Sequence, residues 1–248
     1  MCRSLISLLF LILGVSVAHA EVKQGSLGAL KKVLIDAHFP LLISASGDGS
    51  GSYRYDDRFW TLEQRDGVAR LAARRDVPVE SLCETYHIGS TNSAGGINID
   101  GDVKNSIIVN NSTVYGAQVA ECLLHVAKAD IKIPNQLYVR AKLQASDFWV
   151  RGYHGDLEID LIDGDLWLEN VGGRMQVRST GNGDIRMRHF DGNARIGVHG
   201  NSDVKVRESR FDNLSIDVTG NADAVFGPGV ESRNTQVIGD TDSVTFIR

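Results

Sequence analysis

The sequence predicts an all-β fold: a parallel β-helix (β-solenoid) of about 18–20 residues per coil with two main strands per coil. Three observations carry this. First, a polar residue followed by apolar residues at the next and third positions returns every nine to eleven residues through the C-terminal half. Second, those apolar pairs, such as Leu157/Ile159, Ile185/Met187 and Val204/Val206, alternate with polar residues. Period-two alternation marks strands with one buried face. Third, the marks differ alternately in chemistry: Asp147, Asp165, Asp184, Asp203, Asp223 and Ser243 form one series, and Asp156, Arg174, Asn193, Asn213 and Asn234 the other. An antiparallel meander gives no reason for this alternation. A solenoid does, because residues one coil apart stack at one corner about 4.8 Å apart. A β-sandwich of regular hairpins is the structural rival for the same spacing.

In chain order, residues 1–20 come first. Arg3, an apolar run from Leu5 to Val17 and Ala18-His19-Ala20 read as a secretory signal peptide cleaved at about Ala20. The run is too short to cross a bilayer, and no later segment is long and apolar enough to do so. Residues 21–248 are expected to form a single solenoid domain in the periplasm or outside the cell. The segment from Leu27 to Asp48 reads as two strands turned near His38-Phe39-Pro40. That from Arg58 to Arg75 reads as a hairpin turned at Arg65-Asp66-Gly67. The stretch of about 77–126 departs from the pattern and is expected to be an inserted or capping element. Within it, Gly95 to Gly116 looks like an extra pair of strands or a coil of its own, and Gln118 to Ala127 fits helix or strand. Cys83 and Cys122 remain after signal removal, an even pair in an oxidising compartment, and are expected to form a disulfide. The run from about Ala129 to Arg248 then supplies roughly six coils.

The repeated Asp is open to two readings. The period is similar to that of calcium-binding nonapeptide repeats, which Gly181-Asn182-Gly183-Asp184 approaches, but the Gly-rich turn is missing elsewhere and a calcium loop needs several convergent oxygens. The other reading is structural, with Asp and Asn accepting turn N–H groups.

On the Asp-marked strands the outward positions are Trp149, Trp167, Arg186 and Lys205, then Arg151, Glu169, Arg188 and Arg207. The other face shows Glu158, Asp160, Gln176, Arg178, Arg195, Ser215 and Asp217. Stacked tryptophans beside cations suit a saccharide or an anionic glycan, so the candidate binding residues are Trp149, Trp167, Arg151, Arg186, Arg188, Lys205 and Arg207. The competing reading has the cations only neutralising the Asp column and the N-terminal segment covering the tryptophan pair.

Leu30 to Asp48, Arg58 to Arg74, Ala129 to Val150 and the Gly-Asp-apolar-x-apolar coils after them, in this order, resemble the auto-transporter adhesin family with a head GIN domain. The matching parts cover about three quarters of the chain after residue 20. The resemblance implies a bacterial envelope or secreted protein with a right-handed parallel β-helix, and an adhesin-like role carried by no particular residue.

The net charge of −5, without a basic block, argues against nucleic acid as a partner. No nucleophile elbow, phosphate loop or dinucleotide fingerprint is present, and no His sits at metal-ligand spacing, so neither cofactor nor metal is expected. The expected function is that of a non-catalytic binding protein for a cell-envelope glycan or protein. A self-assembling structural role through the C-terminal coil is one alternative, and a polysaccharide lyase or glycosidase on a β-helix is the other.

Overall fold

The structure is a computed structural model that describes residues 21–79, 107–109, 112–114 and 117–247. The strands β1 (Val22–Leu27), β2 (Lys32–Ala37), β3 (Leu41–Ala45), β4 (Gly51–Asp56), β5 (Trp60–Arg65) and β6 (Val68–Ala73) come first. They are followed by β7 (Ile107–Val109), β8 (Ser112–Val114) and a helix, α1 (Ala117–Val126). The remaining strands are β9 (Ala129–Ile133), β10 (Tyr138–Gln144), β11 (Phe148–Arg151), β12 (His154–Ile162), β13 (Leu166–Glu169), β14 (Gly172–Asn182), β15 (Ile185–Arg188), β16 (Asp191–Asn201), β17 (Val204–Arg207), β18 (Arg210–Gly220), β19 (Ala224–Phe226), β20 (Glu231–Gly239) and β21 (Val244–Phe246).

The predicted β-solenoid is the architecture observed, with about five turns built from parallel strands. From β10 onward the chain alternates between two sheets. The first sheet takes β11, β13, β15, β17, β19 and β21, and the second takes β10, β12, β14, β16, β18 and β20. Both series of marks fall into register: Asp156 lies opposite Arg174, Arg174 opposite Asn193, and Asn193 opposite Asn213. The inward columns, among them Phe148, Leu166, Ile185 and Val204 facing Ile159, Val177, Ile196 and Ile216, are fully buried. Each such side chain contributes about 1.5–3 kcal/mol by leaving water.

The strands are unequal, which the spacing did not indicate. Strands β11, β13, β15 and β17 have 4 residues each, whereas β14, β16 and β18 have 11. Glycine is the reason. Gly173 and Gly192 have φ of 102° and 143°, and a Cβ on either would run into the backbone of the coil before. The chain bends there without losing its ladder, so β14 and β16 run through a corner, whereas β18 has Phe211 opposite Gly192 and shifts register there with one extra residue. Just before this corner, where each short strand hands over to the long one, the chain carries one left-handed residue per coil: Gly152, Asn170, His189, Glu208 and Gly229, with φ between 48° and 74°.

The N-terminal half joins the same stack out of chain order. Strand β2 lies between β6 and β10, and β3 lies between β9 and β11. The chain from β9 to β10 therefore steps over the coil formed by β2 and β3. The expected hairpin is β5–β6, antiparallel, with Asp66 and Gly67 at positive φ. Strands β1 and β4 pair antiparallel at the far edge of the first sheet.

Within the departing stretch, β7 and β8 form the expected pair of strands. Gln118 to Ala127 is resolved as helix. Val119, Cys122, Leu123 and Val126 recur at helical spacing. Cys122 and Leu123 are buried, and the Trp60 indole N–H donates to the carbonyl of Ala127. Residues 1–20, Cys83 and most of the stretch around it lie outside the described residues, so the signal peptide and the disulfide remain expectations.

Candidate binding face

The seven candidate residues come together. Trp149, Trp167, Arg151, Arg186, Arg188, Lys205 and Arg207 all line one groove of about 590 Å3 on the outer surface of the first sheet. Register explains this. Trp149, Trp167, Arg186 and Lys205 occupy one column, and Arg151, Glu169, Arg188 and Arg207 the next.

The two indoles stack with centroids 4.8 Å apart and planes 7° from parallel. Their outer faces are taken as well: the Arg186 guanidinium lies 5.5 Å from the Trp167 centroid and the Lys128 ammonium 5.8 Å from that of Trp149. The result is a four-layer cation–ring–ring–cation stack that shows its edges to the groove. Both tryptophans are half-buried. Among the described residues, the N-terminal strands β1 and β4 extend the sheet at its edge and do not lie over them.

The cations are largely matched. Arg186 reaches Asp184 at 2.8 Å and Asp165 at 3.3 Å. Lys205 reaches Asp203 at 3.5 Å and Asp184 at 3.9 Å. Arg151 pairs with Glu169 at 3.5 Å, and Arg188 with Glu208 at 2.5 Å. The Arg188 guanidinium holds the Glu208 carboxyl below the usual carboxylate range. Arg207 makes no ion pair among the described residues. Neutralisation of the Asp column, one of the two readings of the sequence, is thus observed alongside the groove.

The Asp column itself is structural, in a different manner from a local turn. Asp165 Oδ1 accepts the backbone N–H of Asp184 at 2.8 Å, and Asp147 and Asp203 accept those of Asp165 and Asp223 at 3.3 Å. Each carboxylate thus caps the next coil and not its own turn. Burial pushes the Asp147 carboxyl above its usual range, against the hydrogen bond that it accepts from the Asp165 N–H. Among the described residues no group of three or more His, Cys, Asp or Glu side chains is placed to hold a metal ion. No helix among them is long and apolar enough to cross a membrane.

Two features escaped the sequence reading. Besides the Asn193, Asn213 and Asn234 column, whose amides bond in series, a second amide ladder runs from Asp163 through Asn182 and Asn201 to Asn221, with spacings of 3.2, 2.9 and 3.3 Å. Its signal was available as a polar residue recurring at the Gly-rich corner. A second groove, on the outer surface of the other sheet, runs from Tyr138 to Asn234.

No family model and no curated protein matches the chain, so the head GIN domain resemblance has no model behind it. Some solved structures are distantly similar to the chain. A candidate adhesin from Bacteroides fragilis is 10% identical, with 93% of this chain and 98% of that one covered at a TM-score of 0.47. Another, from Parabacteroides distasonis, is 12% identical, with 93% and 97% covered at a TM-score of 0.40. A candidate lipid-binding protein from the same organism is 8% identical, with 93% and 97% covered at a TM-score of 0.34. At such identities and scores no residue's role passes from these proteins to this chain.

Proposed function

We propose that the chain is a non-catalytic binding protein of the bacterial cell envelope, exported through cleavage of residues 1–20, and that the Trp/Arg groove of the first sheet is its docking face. One observation carries this: the seven residues chosen by spacing line a single groove with a half-buried tryptophan pair at its head. Of the two expected ligands, a protein fits this face better than a glycan. Sugar rings pack on open aromatic faces, and both outer indole faces are occupied here. Anionic glycans need unpaired cations, and most are paired. A protein partner meets ring edges and matched rim charges, the Trp- and Arg-rich surface typical of interface centres.

Within the same proposal, residues 21–248 act as one solenoid domain, and the stretch of about 77–126 closes the N-terminal end of the stack with Cys83 joined to Cys122. The burial of Cys122 and Leu123 on α1 supports the closure.

Retention from a solubilised envelope extract tests the docking face. Immobilised wild type should retain a protein saturably, and a folded Trp149→Ala/Trp167→Ala variant should not. Equal retention by the two would remove the groove from the function.

A further inference from the structure

The second sheet offers a groove of another character. It is also about 590 Å3 and runs along the solenoid axis from Tyr138 to Asn234. That distance covers five coil steps, roughly 24 Å. One wall is the amide ladder, in which the Asn213 side chain donates to Asn193 Oδ1 at 2.6 Å and that of Asn234 donates to Asn213 Oδ1 at 3.0 Å. Asn213 spends one N–H on the ladder and keeps its other, Asn193 only accepts there, and Asn234 also donates to the Asp212 carbonyl at 3.4 Å. The facing wall carries Gln176, Arg195, Ser215 and Gln236 in register. None of these four side chains makes a hydrogen bond or ion pair among the described residues. That is the reverse of the Trp/Arg face, where nearly every charge is spent internally.

The charge pattern is specific. Arg195 is exposed, and its neighbours along the wall, Gln176 and Ser215, are neutral. The carboxylates at the N-terminal end of the groove are already matched: Asp156 takes a two-pronged hydrogen bond from Arg174, and Glu158 is held by Arg140 at 3.4 Å and by the Tyr138 hydroxyl. What remains is a long trough with amides on its four C-terminal strands, from Gln176 to Gln236, and the Arg195 guanidinium near its middle, uncompensated among the described residues.

We infer that this groove binds an extended acidic oligosaccharide, with ring hydroxyls on the Asn and Gln amides and a carboxylate on Arg195. The coil rise of about 4.8 Å is close to the advance of one pyranose unit in an extended chain, so successive sugars meet equivalent amides. An extended peptide fits less well. The groove lies on the face of the sheet, where the strand backbone groups are paired to each other, so no edge is offered for an added strand.

Calorimetric titration of residues 21–248 with an oligogalacturonate and with a neutral malto-oligosaccharide of matched length tests the inference. The acidic chain should bind saturably and more tightly, and salt should weaken it. Arg195→Ala should reduce its affinity by about tenfold or more, the scale of one charge-assisted hydrogen bond, while leaving the neutral chain unchanged. Gln176→Ala/Gln236→Ala should weaken both. The Trp149→Ala/Trp167→Ala variant should bind as wild type, which separates this groove from the docking face. Absence of saturable binding, indifference to Arg195→Ala, or loss of binding in the tryptophan variant would each overturn it.

Discussion

Asp147 shows how a repeated residue is kept at a local cost. Its carboxylate caps the next coil by accepting the Asp165 N–H, yet burial raises its pKa above the unfolded value. A carboxyl raised in this way favours the native state only when protonated. That contribution is fully present below the ordinary value of 3.8 and is lost as pH rises through the raised native value. Asn keeps the accepting oxygen without the charge. Asp147→Asn should therefore raise Tm by a few degrees at pH 7, and the gain should shrink towards zero near pH 4 and below. Thermal melts at both pH values check this; equal melting temperatures at pH 7 would contradict it. The Asp column was legible in the sequence because its spacing is regular. Its bonding was not, because the N–H it accepts belongs to a residue 18–20 positions away whose register only the stack fixes.

Among the elements, the amide ladders bind coil to coil, and their members differ by position. Asn213 sits mid-ladder with one donated and one accepted bond, whereas Asn221 ends its ladder with a single bond at 3.3 Å. Asn213→Ala should cost about 1–2 kcal/mol and Asn221→Ala less than about 1 kcal/mol, read from urea unfolding midpoints. Equal losses would mean that the ladder geometry does not matter. The short strands of the first sheet and the β5–β6 hairpin could be read from alternation and from Asp66-Gly67. The helix α1 could also have been decided, since its apolar residues follow a 3.6-residue period. The order of the N-terminal strands could not. Placing β2 between β6 and β10 depends on pairings with strands far along the chain, and period-two patterns do not name their partners.

For the whole molecule, stability in a solenoid is a sum of neighbouring contacts, so the ends matter most. The expected Cys83–Cys122 bond would close a loop of about 40 residues and add about 3–4 kcal/mol on loop entropy. Peptide mapping without reduction should recover the crosslinked pair, and reduction should lower the unfolding midpoint. Free thiols at both positions would sink that expectation. The Trp/Arg face was legible as a set, because a two-residue period within strands and an 18- to 20-residue coil place all seven residues on one surface. Its internal ion pairing was less legible, since each cation meets carboxylates from adjacent coils. The groove of the second sheet was not legible as a site, because the sequence lists its outward residues without showing which charges pair internally and which are left over.

Hydroxyl-radical footprinting of residues 21–248, with and without solubilised envelope extract, tests the docking face most directly. Trp60 is fully buried and serves as the internal reference. The account predicts that Trp149 and Trp167 are oxidised in the free protein, that Trp60 is spared, and that the extract protects the pair. Tryptophans that resist oxidation in the free protein, or that gain no protection from the extract, would contradict it.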